Sequence, residues 1–230
     1  MSNLLSKLKE MFILKNSTPE PINQEVQLKS SCGIEYRELC DLLAQGEWKE
    51  ADYETGRVML AVAKREEEGW LDVESIDNSP CEDLSTIDQL WVKYSDGKFG
   101  FSVQKRIYQS LGGTREYNED IWEAFGDKVE WKNKENRGLG YKNITFDEKA
   151  QKVNFPNYTI LGETDIERNW LYYKDITFDK KAPEAHLPII IVKYELAWNA
   201  RMGMWEKDGG GSHLRELGIL ISSLLSRRDL

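Results

Sequence analysis

The sequence predicts a mainly α protein: one helical core with long loops, a short N-terminal helix and a C-terminal helical tail. Apolar residues recur at three- and four-residue steps through several segments, the spacing of a helix face. Glycines and prolines fall between those segments and punctuate them. With 40% hydrophobic residues, including eight Trp, ten Tyr and seven Phe among 230, the chain can fill the core of one sizeable domain.

Residues 1–33 read as an N-terminal amphipathic helix and a linker. Leu4, Leu5, Leu8, Met11 and Phe12 share one helical face, with lysines elsewhere. The segment lacks the uninterrupted apolar centre of a secretory signal, and it is short and poor in Arg for a transit peptide. Residues 15–33 are polar and broken by Pro19 and Pro21. The core, residues 34–205, opens with Tyr36, Leu39, Leu42 and Leu43 at helical steps, stopped by Gly46. Trp48, Ala51, Val58, Met59, Val62 and Ala63 predict a second helix up to Gly69. Asp52 and Glu54 near its start and Lys64 and Arg65 near its end suit the helix dipole.

After a loop at residues 77–80, Leu84, Ile87, Leu90, Trp91 and Tyr94 predict a third helix. The stretch "DQLWVKYSDGKFGFSVQKRIYQS" (88–110) admits a hairpin or two helices joined at Ser95-Asp96-Gly97. Leu90, Trp91 and Val92 are consecutive apolar residues, which breaks strand alternation and favours helix–turn–helix. Ser102 is placed to cap the second of these helices, which carries Val103, Ile107 and Leu111 and ends at Gly112 and Gly113. "YKNITFDEKA" (141–150) then recurs as "YKDITFDKKA" (173–182), differing only at Asn143/Asp175 and Glu148/Lys180. The first copy and its surroundings, about residues 132–168, read as an insertion that lengthens a surface loop. Residues 206–230 are a Gly-rich hinge and a helix with Leu214, Leu217, Ile221, Leu224 and Leu225 on one stripe. That stripe can dock on the core, on a partner, or on a membrane surface.

A net charge of −9 argues against general nucleic-acid binding and against broad contact with an anionic membrane, leaving at most peripheral contact. The longest apolar run, residues 187–192, contains a proline and is too short to span a bilayer. Three cysteines without CxxC spacing, and only two histidines, disfavour disulfides and a protein-ligated metal, and fit a reducing compartment. No phosphate-cradling loop, nucleophile elbow or H-E-x-x-H motif is present, so an enzyme is the least favoured class. The acidic pairs Asp52/Glu54 and Glu82/Asp83 read as helix caps. Aromatic and aliphatic residues on irregular segments stand out: Trp70, Leu71, Val73 and Ile76 in a loop, Phe99 and Phe101 at the turn, and Trp170, Tyr172, Tyr173 and Phe178 before "APEAHLP". Together they suggest a concave apolar surface of the kind that holds a small molecule.

Three blocks resemble the genomes-uncoupled family of tetrapyrrole-binding regulators of magnesium chelatase, found in cyanobacteria and plastids. They are "LLAQGEWKEADYETGRVML" (42–60), "PCEDLSTIDQLWVKYSDGKFGFSVQKRIY" (80–108) and "APEAHLP" (182–188), the family having Gly where Ala185 stands here. With the insertion removed, the resemblance covers about residues 36–188. It implies a helical ligand-binding core shaped like a cupped hand, and a non-enzymatic protein. It implies that protoporphyrin IX or Mg-protoporphyrin IX is bound and that magnesium chelatase, through its large porphyrin-binding subunit, is stimulated in chlorophyll biosynthesis. Val73 and Ile76 would line one wall and Tyr173 the opposite loop, with Phe101 and Phe178 as floor. In the family an Asn and arginines after the HLP motif reach the ligand's polar edge; here Lys193 and Arg201 stand in by charge. His186 is expected to make a structural hydrogen bond. The implied setting is plastid (chloroplast) stroma, in a plastid-encoded protein, or cyanobacterial cytoplasm. A porphyrin burying ~400 Å² of apolar surface would gain ~10 kcal/mol before association costs, which leaves micromolar affinity within reach. Two alternatives accompany this reading: a helical interaction module that has lost ligand binding, and a relative that binds an open-chain bilin.

Overall fold

The structure, a computed structural model, describes residues 26–132, 145–147, 152–154, 170–171, 173–189 and 212–230. The expected N-terminal helix, most of the insertion, Lys193, Arg201 and the Gly-rich hinge lie outside the described residues. Seven α-helices are described: α1 (Arg37–Gln45), α2 (Trp48–Ala63), α3 (Val73–Asn78), α4 (Cys81–Tyr94), α5 (Phe101–Ser110), α6 (Glu119–Lys128) and α7 (Ser212–Leu225). A 3-10 turn spans Tyr173–Asp175, and two three-residue strands, β1 (Thr145–Asp147) and β2 (Lys152–Asn154), pair antiparallel.

The apolar stripes of α1, α2, α4 and α5 close on one another. Tyr36, Leu39, Ala51, Val58, Ile87, Leu90, Trp91 and Phe101 are all fully buried. Trp48 sits 6.1 Å from Trp91 and 5.6 Å from Phe99, edge-on to the latter. Trp91 Nε1 donates to Thr55 Oγ1 at 2.9 Å, so the indole meets a partner inside the core. A second aromatic nest joins α6 to the chain beyond it. Trp122 stacks on Trp170 at 5.0 Å and on Phe125 at 5.9 Å, and Trp131 lies edge-on to Phe125.

Residues 88–110 form a helix–turn–helix. Ser95 Oγ accepts from the backbone N–H groups of Lys98 and Phe99, and Asp96 and Gly97 adopt positive φ. One expectation is corrected here: Ser102 does not cap α5. The helix starts one residue earlier, at Phe101, and the acceptor comes from the neighbouring helix, Asp88 Oδ1 receiving Ser102 N–H at 2.8 Å. Gly100 makes this approach possible, because a Cβ there would lie 2.8 Å from Asp88 Oδ1 and its φ is +129°.

Two other boundaries differ from expectation. Helix α2 ends at Ala63, because Lys64 takes left-handed φ and Arg65 N–H turns back to Leu60 O. The chain reverses there, with Arg65 stacked over Trp70 and ion-paired to Asp72 at 2.9 Å. Val73 and Ile76, expected in a loop, lie on α3. Its reciprocal Asp72/Ser75 capping box supplies a helix start that the sequence pattern hid.

Of the three fates for the tail, docking on the core is the one observed. Leu220, Ile221, Leu224 and Leu225 are buried against α3, α5 and α6. Arg227 then donates to the carbonyls of Ile76, Asp77 and Ser79, at the C-terminal end of α3, while Ser222 meets Tyr108 at 2.8 Å. No described helix is long and apolar enough to cross a membrane.

Lys132 and Trp170, which flank the insertion, form an antiparallel bridge. Lys132 Nζ pairs with Glu123, whose other oxygen accepts from Trp170 Nε1 at 3.1 Å. Gly126 sits beneath this neck, and a Cβ there would come within 2.4 Å of the Trp170 ring. Alanine gains about 1 kcal/mol over glycine in a helix interior, but overpacking costs about 1–3 kcal/mol. Gly126→Ala is therefore expected to destabilise the fold, lowering the urea midpoint and shifting Trp emission; a rise in midpoint would contradict the stacking of Trp170 on α6.

Candidate functional site

The second copy of the repeat lies along the start of α2. Tyr173 is nearly buried, its ring 5.3 Å from Tyr53 and 5.0 Å from Phe178. Lys49 Nζ stands 6.0 Å from the Phe178 ring, within reach of a cation–π attraction. Tyr53 keeps 43% of its surface exposed, which is uncommon for a large aromatic on a buried helix. The result is an aromatic wall with a cation at its edge.

Asp52 fixes this wall. It lies on the buried stripe of α2 with no exposed surface. Tyr173 Oη donates to its Oδ2 at 3.1 Å, and the Ile189 backbone N–H donates to Oδ1 at 2.5 Å. One carboxylate thus holds both ends of the returning loop, residues 173–189, to α2. Burial pushes its pKa up to about 8, the two hydrogen bonds opposing the shift. The reading of Asp52 as a helix-start cap is therefore corrected: its side chain serves tertiary contacts. Glu54 likewise pairs with Arg57, one turn along the same helix. Asp83 is corrected in the same way, since it accepts from Tyr36 Oη at 2.7 Å, Ser31 N–H and Ser30 Oγ.

The returning loop finishes in a turn held by α5. Gln104 Nε2 donates to Ala185 O and Pro188 O, Gly100 N–H to Leu187 O, and Ala185 N–H to Lys98 O. His186 is buried with Nδ1 2.6 Å from Val129 O, and desolvation lowers its pKa against the opposing pull of the Val129 hydrogen bond and Glu130. Ala185 has φ +62°, a region costly for any residue with a Cβ.

Of the residues singled out in the sequence, Tyr173 and Phe178 are brought together. Val73 and Ile76 lie elsewhere, on α3 near the other end of α2. Ser75 and Asn78 line a cavity with Val62, which is ten residues beyond Asp52, or about 15 Å along the helix. That cavity, about 540 Å³, has charged walls that include Lys64, Arg65 and Asp72, and Val73 is half-buried beside it. Ile76 and Phe101 have no exposed surface and belong to the core, so neither presents a face to a ligand. Asp52, Tyr53 and Lys49 were missed. A signal existed for Asp52: it is a charge set on the stripe Trp48, Ala51, Thr55, Val58, Met59.

A helical scaffold with a cation-edged aromatic surface is the class that fold and site define. The GUN4-like family profile matches residues 29–167, more than half of the sequence, and the chain belongs to that family. It is 40% identical over 108 residues to the uncharacterized protein ycf53 of Porphyra purpurea, covering 46% of this chain and 42% of that protein. A Ycf53-like protein of Synechocystis is 30% identical over 154 residues, 62% of this chain and 63% of its own. The chloroplastic tetrapyrrole-binding protein of Arabidopsis thaliana is 28% identical over 120 residues, 45% of either chain. The chain thus spans about half the length of the curated relatives it matches. Its fold is that of the GUN4 structure from Chlamydomonas reinhardtii, with TM-score 0.54 and 22% identity over 89% of this chain and 96% of that one. The relatives are plastid and cyanobacterial proteins, the setting expected from the resemblance.

Because the folded Asp52 titrates above its ordinary range, its contribution to stability is complete below about pH 4 and is lost as pH rises through about 8. Asp52→Asn keeps an acceptor for Ile189 N–H and a donor for Tyr173. Urea midpoints measured from pH 9 to pH 5 should show the wild type gaining stability relative to the Asn variant; a constant difference would remove Asp52 from this role.

Proposed function

We propose that this protein is a non-enzymatic tetrapyrrole-binding regulator, taking protoporphyrin IX or its magnesium complex and stimulating magnesium chelatase through the large porphyrin-binding subunit. The observation that carries the reading is the exposed Tyr53 face beside Tyr173 and Phe178, edged by Lys49. A rigid apolar macrocycle with two propionates needs apolar aromatic contacts and a cation at its rim, and the inclined rings of Tyr53, Tyr173 and Phe178 with Lys49 supply candidates for both. Family membership and the name of the Arabidopsis relative support the same ligand class.

In this reading Tyr53, Tyr173 and Phe178 face the ring, and Lys49 takes a propionate. Ile76 and Phe101 belong to the core and Val73 lies on α3 towards the other end of α2, so none of the three meets the ring; Lys193 and Arg201 supply the remaining cations. Where the ligand carries magnesium, the ion would be held by the macrocycle and would need no protein side chain as ligand. Among the described residues no cluster of three His, Cys, Asp or Glu is arranged to hold a metal. The protein works in plastid stroma or cyanobacterial cytoplasm.

Titration with a soluble porphyrin, followed by Trp quenching and the Soret band, should saturate in the micromolar range. Tyr173→Ala and Tyr53→Ala should each weaken binding several-fold while leaving the urea midpoint above that of Gly126→Ala. No saturable change up to high micromolar porphyrin would rule the reading out.

A further inference from the structure

The duplicated decapeptide has a use that ligand binding leaves unexplained. In the second copy, the residues that meet the core are Tyr173, Ile176, Phe178 and Ala182, together with the Asp179 side chain that accepts from Lys181 N–H at 2.7 Å. Each recurs unchanged in the first copy, as Tyr141, Ile144, Phe146, Ala150 and Asp147. The remaining anchor, Lys98 Nζ to the Lys180 carbonyl at 2.6 Å, is a backbone contact and insensitive to sequence. We infer that the surface formed by the start of α2 and the α4–α5 turn is a docking site for this decapeptide, and that residues 141–150 of the same chain are its alternative occupant.

The two differences between the copies explain which one holds the site. Asp175 is exposed, so Asn143 in its place changes little. Lys180 pairs with Asp96, and the equivalent residue of the first copy is Glu148, which would face Asp96 with like charge. Both members of that pair are well exposed, so reversing it biases occupancy by several-fold and does not forbid exchange.

Chain length permits the exchange. Lys132 is fixed at the neck, and the nine residues from there to Tyr141 span up to about 30 Å. The 19 residues 151–169 lead back to Trp170 and reach up to about 60 Å. The displaced second copy would remain tethered at Trp170 and at the turn that Gln104 holds. Among the described residues Thr145–Asp147 pairs with Lys152–Asn154 in a two-stranded sheet, and an isolated two-stranded hairpin is marginal in water. Releasing it therefore opposes exchange weakly.

Disulfide trapping tests this in the full chain with Cys32, Cys40 and Cys81 changed to Ser, and without porphyrin, so its outcome is separate from the tetrapyrrole reading. Asp96→Cys with Lys180→Cys should cross-link rapidly within one chain and reports that the fold is intact. Asp96→Cys with Glu148→Cys should also cross-link within one chain, more slowly, yet several-fold faster than Asp96→Cys with Glu163→Cys in the same loop. Phe178→Ala should raise the Glu148→Cys yield, and Phe146→Ala should lower it. A Glu148→Cys rate equal to the Glu163→Cys rate, a rate indifferent to both Phe substitutions, or a product joining two chains would overturn the inference.

Discussion

A carboxyl group buried without a cation is costly to ionise, and this fold places one, Asp52, where its loss would release the returning loop. Its two oxygens are divided between Tyr173 and Ile189, sixteen residues apart, and so hold the returning loop as a fixed surface against α2. The aromatic wall follows from this. Tyr173 can lie edge-on to Tyr53 and against Phe178 because its hydroxyl has a partner in the core. Ile189 is pinned at the point where the chain continues towards Lys193 and Arg201. Under the proposed function, one buried side chain thus positions the loop whose aromatic residues face the ligand.

Two further buried acids repeat the device. Asp83 gathers Tyr36, Ser30 and Ser31, tying the segment before α1 to the start of α4, and burial with that acid beside it raises the Tyr36 pKa. Asp88 caps α5 from the middle of α4, and burial raises its pKa as well. Each joins elements distant in sequence, and each satisfies its oxygens with donors instead of a countercharge. Such pairing specifies geometry more than it adds stability.

The sequence disclosed much of this fold and less of its site. Helices α1, α2, α4, α5 and α7 were legible from apolar spacing, and the turn at Ser95 was decided by the run Leu90, Trp91, Val92. Helix α6 was less legible: it is ten residues long, and Trp122, Phe125 and Val129 mark its face at only three positions, although Asn118 caps it. Helix α3 is six residues long, too short for periodicity to register, and only its Asp72/Ser75 pair announced it. Among site residues, Tyr173 and Phe178 could be placed from the repeat and the family resemblance. Asp52 was read as a cap because local rules put acids at helix starts; its true partners lie more than a hundred residues away. Ile76 and Phe101 show the converse error, since apolar residues beside loops are as readily core as surface.

The account rests on Asp52 and the returning loop forming, with α2, the face that meets the tetrapyrrole. Hydrogen–deuterium exchange with and without Mg-protoporphyrin IX tests this directly. Peptides covering residues 48–57 and 173–189 should gain protection together on binding, with the Ile189 amide among the slowest to exchange. Protection confined to the charged cavity around Arg65 and Asp72, with residues 173–189 unchanged, would contradict it.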